Sequence, residues 1–350
     1  MAAGRRGRYH HGMRHRAVAW CAGVLGVGIV AACGLDEGGM LGDAGTDVVA
    51  IEAGADVTTG DAASDVVDDE PADGPSDAGS DVDAQTTCEA VCKSPATCIG
   101  GTCTFDCSAT STCLTTNIAC PGTVPCNVIC GTGSCGGTIN CGQASTCNVD
   151  CKGISACSKA ITCAGSACTI QCGAGSCIGD IHCNATNSCV IDCGLDAGVT
   201  TACLGKTNCA GQNCSIGCAQ GSCLDNVACT ATSKCDIACA GIGACAKTVQ
   251  CAAATCNVGC TANNTCAGDV TCAPASQACN VVCGGAAACA GKVTSGATAS
   301  TLCCNGPSAC IGAVNCGKTK CNAACLGPGS CATGVTCNAT TCVRDASTCP

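Results

Sequence analysis

Along residues 103–350 apolar and polar positions alternate in short runs. In "CNVDC", residues 147–151, Cys147, Val149 and Cys151 share one side while Asn148 and Asp150 share the other, the two-residue period of a half-buried strand. In "CSKAITC", residues 157–163, Cys157, Ile161 and Cys163 share a side. Both segments recur down the chain, with aliphatics in the equivalent place at Ile139, Ile170, Ile181, Val227, Ile237, Val249, Val258, Val270, Val314 and Val335. Gly, Ser, Ala and Asn fill the intervals, as turns require.

Eleven repeats start at positions 103, 126, 147, 168, 189, 214, 235, 256, 279, 300 and 321; eight are 21 residues long and the others 23, 25 and 23. Residues 88–102 and 342–350 read as partial units at the ends. With the cysteines of a repeat numbered first to fourth, first and second always lie four apart, and third and fourth six apart except Cys113 and Cys120. The other two gaps drift. Length is held where a strand would sit and varies where a turn would sit, the mark of a stacked array. The expected fold is all-β: a disulfide-braced β-solenoid, parallel β-helix-like, of about eleven 21-residue repeats. A half-unit also recurs at about half that period, so a coil could hold one strand or two. The unlike spacers of the two halves favour two, with an axis of roughly 55 Å.

Composition explains why such a core must be thin. Of 350 residues 50 are Cys, and only Tyr9, Trp20 and Phe105 are aromatic. Burial by aromatics is almost absent, so small contacts and covalent staples must hold the fold.

Charge divides the chain into three. Residues 1–33 carry five Arg and no acid, residues 34–87 carry 15 acids and no Lys or Arg, and residues 88–350 carry 10 of each sign. The basic start precedes an apolar run at 17–32, too short for a membrane span and suited to an export signal. That run ends in Val30-Ala31-Ala32-Cys33, which resembles the bacterial lipobox. The resemblance implies cleavage before Cys33, lipidation of its sulfur and amine, and membrane anchoring. By the same resemblance, the absence of Asp after Cys33 favours the outer membrane, on its periplasmic or surface face. Residues 1–32 are then a signal peptide, 33–87 the lipidated Cys and a disordered Asp/Ala/Gly-rich tether, and 88–350 the Cys-rich repeat domain. A neutral repeat domain does not fit nucleic acid.

One irregularity points to a cysteine pairing, which spacing alone does not fix. Ser295 stands at a fourth-Cys position and Ser300 at the following first-Cys position. Losing both together leaves no orphan, so fourth should bond to the next first and, by half-repeat symmetry, second to third. The expected bonds include Cys92–Cys98, Cys130–Cys135, Cys141–Cys147, Cys151–Cys157, Cys163–Cys168, Cys172–Cys177, Cys218–Cys223 and Cys239–Cys245. Cys88, Cys103, Cys303 and Cys349 are left without regular partners.

Other chemistry is weakly supported. Zinc sites use cysteines two to four apart, often with His, and redox sites use Cys-x-x-Cys; neither Cys-x-Cys nor Cys-x-x-Cys occurs. A thiolate metal-binding protein is nevertheless the main alternative. After residue 33 the single His is His182, expected on the outer face between Thr162 and Asn208 of neighbouring coils. No catalytic residue, metal ligand or cofactor is expected, and the protein is read as no enzyme. Polysaccharide-acting β-helix enzymes array charges on coil faces, whereas charges here look scattered. The domain is similar in style to the cysteine-braced solenoids of beetle antifreeze proteins, which implies ice binding as a lesser alternative. The outward ladder Asn127, Asn148, Thr169, Val190, Ser215, Asp236, Asn257, Asn280 lacks their regular Thr face. The whole layout resembles the Cys-rich repeat lipoproteins of myxobacteria. The expected function is a lipid-anchored envelope scaffold or adhesion module, with surface glycans or envelope proteins as partners. Contacts are expected at variable loops 194–202 and 290–302.

Overall fold

The computed structural model describes residues 87–142, 144–194 and 201–349. The signal peptide, the Val30–Cys33 motif and all but the last residue of the tether lie outside the described residues. The repeat domain is an all-β solenoid, with 22 strands among the described residues. Strand β6 (Thr146–Cys151) is followed in its coil by the short β7 (Ile161–Cys163), and β8 (Ala167–Cys172) and β9 (Ile181–Asn184) repeat the pair one coil on. Long strands pair in parallel with long, Val149 opposite Ile170, and short with short, Ile161 opposite Ile181. The coil is therefore about 21 residues with two strands, and the half-length coil is excluded.

Alternation sorts the residues as the strands demand. One inward column runs Phe105, Val128, Val149, Ile170, Ile191, Ile216, Ile237, Val258, Val281, Leu302, and a second runs down the short strands through Ile118, Ile139, Ile161 and Ile181. Each such side chain contributes about 1.5–3 kcal/mol by leaving water. One coil breaks the pattern. Thr207 lies between Ile181 and Val227 in the second column, and its buried hydroxyl has no hydrogen-bond partner.

The turn between second and third cysteine follows one recipe. Every third cysteine adopts a left-handed backbone, with φ from 50° at Cys113 to 55° at Cys223. This region costs a non-glycine residue roughly 1–2 kcal/mol. Stacked hydrogen bonds offset the cost: Cys157 N–H donates to the Ser134 carbonyl at 3.1 Å and Cys245 N–H to Ser222 at 3.1 Å. The turn also brushes the coil beneath. A Cβ on Gly285 would fall within the backbone of Ala262.

The two ends differ, and the N-terminal one departs from expectation. Residues 88–102 are no partial coil. Residues 87–91 make a helical turn, and β1 (Thr97–Ile99) pairs antiparallel with β2 (Thr102–Cys107). Gly100 and Gly101 form its two-residue turn with φ of 55° and 74°, the conformation tight hairpins need and glycine adopts freely. The hairpin sets Cys98 opposite Cys103, while Cys88 and Cys92, four apart, share one side of the helical turn. The expected Cys92–Cys98 bond is therefore wrong: Cys88 bonds Cys98 and Cys92 bonds Cys103. The result is a stapled cap over the first coil edge, a form of protection exposed strand edges need.

At the other end the chain leaves the coil after β22 (Thr341–Val343). Cys349 bonds Cys303, and Asn322 and Asp345 exchange hydrogen bonds of 2.9 and 2.8 Å. This tail covers Cys303 and Ala324, which are buried despite their outward place in the strands. The last coil itself stays open, with Val343 47% exposed.

Candidate functional surfaces

The disulfides line both turns of the coils, save the turn where Ser295 and Ser300 stand. The structure brings together Cys130–Cys135, Cys141–Cys147, Cys151–Cys157, Cys163–Cys168, Cys172–Cys177, Cys218–Cys223 and Cys239–Cys245. Apart from Cys88–Cys98, Cys92–Cys103 and Cys303–Cys349, every bond joins second to third or fourth to next first. Where Ser295 and Ser300 replace that pair, their hydroxyl oxygens lie 2.6 Å apart and both residues are buried. Residues 290–302 are therefore no variable loop: β17 (Val293–Ser295) and β18 (Ala299–Cys304) continue both stacks. In the other expected loop, residues 195–200 lie outside the described residues.

Stacking brings sulfurs of neighbouring coils together. The sulfurs of Cys120, Cys126, Cys141 and Cys147 all lie within 4.8 Å of one another, and Cys120 Sγ is 3.3 Å from Cys141 Sγ. Four thiolates so placed could surround a zinc ion. As two disulfides they have no thiolate to offer. Oxidation state decides between the two chemistries, and so many bonded cysteines mark an oxidising, extracytoplasmic compartment.

The broad outer face of the long strands is polar and nearly neutral. Amide ladders run along it: Asn148 Nδ2 donates to Asn127 Oδ1 at 3.0 Å, Asn257 to Asp236 at 2.7 Å and Asn280 to Asn257 at 2.9 Å. Beside the first ladder lies a groove of about 520 Å³, whose lining includes Thr102, Thr104, Pro125, Asn127, Thr146, Asn148 and Thr169. A second, of about 320 Å³, opens where Ala238 and Gly259 leave space beside Asp236, Asn257 and Asn280. The first wall offers hydroxyls and amides, which donate and accept, with no fixed charge; the second adds the Asp236 carboxylate, ion-paired with Lys234 at 2.8 Å.

His182 sits opposite Thr162 and Asn208, half-buried on the outer face. Its Nδ1 is 3.2 Å from Asn208 Nδ2. Asp180 is engaged elsewhere, its Oδ1 accepting the Lys206 N–H at 2.9 Å.

The charges, expected to be scattered, are ordered along one edge. Just after the third cysteine, successive coils present Lys159, Asp180, Lys206, Asp225, Lys247, Asp269 and Lys292. Neighbouring coils meet there: Lys247 Nζ lies 3.4 Å from Asp225 Oδ1, and the Lys292 N–H donates to Asp269 at 2.9 Å. The Asn226 N–H holds the Asp225 carboxyl below the usual range, aided by Lys247 and Lys206 and opposed by desolvation. Aliphatic residues flank the column, with Ile178 45% and Leu224 37% exposed. Compared with known proteins, the chain matches no family model, no curated protein and no solved structure.

Proposed function

We propose that this is a non-enzymatic, lipid-anchored scaffold that serves as an adhesion or recognition module of a bacterial envelope. Cys33 carries the lipid, residues 34–87 act as tether, and the outer membrane is the site of anchoring. The observation that carries the recognition role is the long-strand face. A rod braced by 24 disulfides among the described residues holds hydroxyl and amide columns in fixed register. That arrangement suits an extended, uncharged, hydrogen-bonding polymer such as a surface glycan, at modest affinity because aromatic platforms are missing. The groove from Thr102 to Thr169 is the place for it.

Binding of the intact oxidised protein to a panel of neutral polysaccharides tests this reading. One or more should bind, and Asn148→Ala with Thr146→Ala should weaken binding at least tenfold. No binding to any of them, or binding indifferent to both substitutions, leaves only a spacer. The anchor is tested by the mass of Cys33 in protein extracted from membranes: a diacylglycerol thioether is expected, and an unmodified thiol refutes it. A thiolate metal protein is the second reading, on the strength of the sulfur quartet at Cys120, Cys126, Cys141 and Cys147. It predicts free thiols and bound metal in protein isolated without reductant.

A further inference from the structure

We infer that the charged edge is a self-association surface, on which a second copy of this chain docks antiparallel about a two-fold axis between Lys206 and Asp225. Six consecutive coils carry one charge each there: Lys159, Asp180, Lys206, Asp225, Lys247 and Asp269. Each stands two or three residues after its third cysteine. The offsets run two, three, three, two, two, three.

A two-fold axis perpendicular to the edge reverses both directions on it, along the stack and along the coil path. A residue at the second offset then faces one at the third offset of the other copy. With the axis between Lys206 and Asp225, Lys159 faces Asp269, Asp180 faces Lys247 and Lys206 faces Asp225, each pair occurring twice. Every facing pair is opposite in sign and complementary in offset. The neighbouring axis, between Asp225 and Lys247, also opposes unlike charges but sets equal offsets against each other, which the rotation carries apart. Leu204, Leu224 and Ile178, each one residue after its third cysteine, flank the charged column.

Alternation within the chain engages only part of these charges: Lys247 lies 3.4 Å from Asp225, which Lys206 also attracts from farther off. Asp180 and Asp269 accept backbone N–H groups, and the ammonium groups of Lys159 and Lys206 have no carboxylate within 4 Å among the described residues. A closed pair of this kind is the commonest oligomer. Six coils span about 24 Å, a footprint at the weak end of specific interfaces. Such a contact, made largely of exposed charges, must weaken with salt.

The test is sedimentation of the full oxidised chain in non-ionic detergent, which keeps any lipid in separate micelles. At about 20 mM salt the chain should dimerise, and at about 500 mM the dissociation constant should rise at least tenfold. Lys206→Asp sets acid against acid and Asp225→Lys sets base against base, so each variant alone should lose at least tenfold in affinity. Mixed one to one, they restore both central pairs and should associate within a few-fold of the unsubstituted chain. A misfolded variant could not be rescued in this way. A monomer at low salt up to about 1 mM, or a mixture no stronger than either variant, overturns the inference.

Discussion

The Ser295–Ser300 pair offers a sharp test of the pairing rule, because restoring two cysteines there should rebuild the missing staple. The hydroxyl oxygens are 2.6 Å apart, and equivalent bonded pairs elsewhere hold their Cα atoms 5.9 Å apart at Cys120–Cys126 and 6.2 Å at Cys141–Cys147. Closing a loop of about six residues contributes about 2.2 kcal/mol through the unfolded chain. Against this stands the lost hydroxyl–hydroxyl bond, about 1 kcal/mol, and the weak 3.3 Å bond from the Ala297 N–H to Ser295 Oγ. The net gain of Ser295→Cys with Ser300→Cys is about 1 kcal/mol, which slows local opening about fivefold. Amide hydrogen exchange across residues 293–304 reads this, and peptide mapping without reductant reads the new bond. Ser295→Ala alone should act oppositely, leaving the Ser300 hydroxyl unpaired in a buried site at a cost of about 1–3 kcal/mol. If both introduced cysteines remain alkylatable while the other bonds are intact, fourth-to-first pairing is refuted.

Thr207→Val should stabilise by about 1 kcal/mol, since it removes the orphan hydroxyl at nearly constant shape; slower exchange of the Val227 amide is the readout, and faster exchange would count against an unpaired hydroxyl. Ala287 has φ of 52°, so Ala287→Gly should gain up to about 1 kcal/mol, the left-handed penalty less the entropy of glycine. Gly285→Ala should cost several times that or fail to fold, because its Cβ has no room against Ala262; comparable thermal transitions of the two variants would refute the close approach. The Ser347 N–H, and then its hydroxyl, hold the Asp345 carboxyl below its ordinary value of 3.8. Its contribution to holding the tail is whole above the unfolded value and is lost as pH falls through the lower folded one. Proteolysis of the tail should therefore quicken only below about pH 4, and Asp345→Asn should abolish that dependence.

Much of the fold is legible because strand period and cysteine spacing carry the same information. Val149, Ile170 and Ile161 fall inward by alternation alone, and the joint loss of Cys at 295 and 300 betrays which turns are clamped. The cap is not legible in that way. Cys88, Cys92, Cys98 and Cys103 keep spacings common in the coils, yet Gly100-Gly101 reverses the chain and exchanges their partners. The supposed loop at 290–302 misleads for the opposite reason: serine hides two strands that the cysteine pattern would have marked. The charge column escapes notice because its members are 19 to 26 residues apart and shift between two offsets, so no fixed period reveals it. Only the stacking of coils of unequal length brings them to one edge. The grooves likewise depend on which outward columns are small, as at Ala238 and Gly259, and on register across coils.

The central claim is that the cysteines after residue 87 act as staples, nearly all of them clamping single turns of a solenoid. Thiol titration under denaturation, followed by peptide mapping without reductant, measures this directly on protein isolated without reductant. No free thiol among the 48 cysteines of residues 88–350, with Cys151 joined to Cys157 and Cys163 to Cys168, is the predicted result. Many free thiols with bound metal, or Cys151 bonded to any other cysteine, would contradict it.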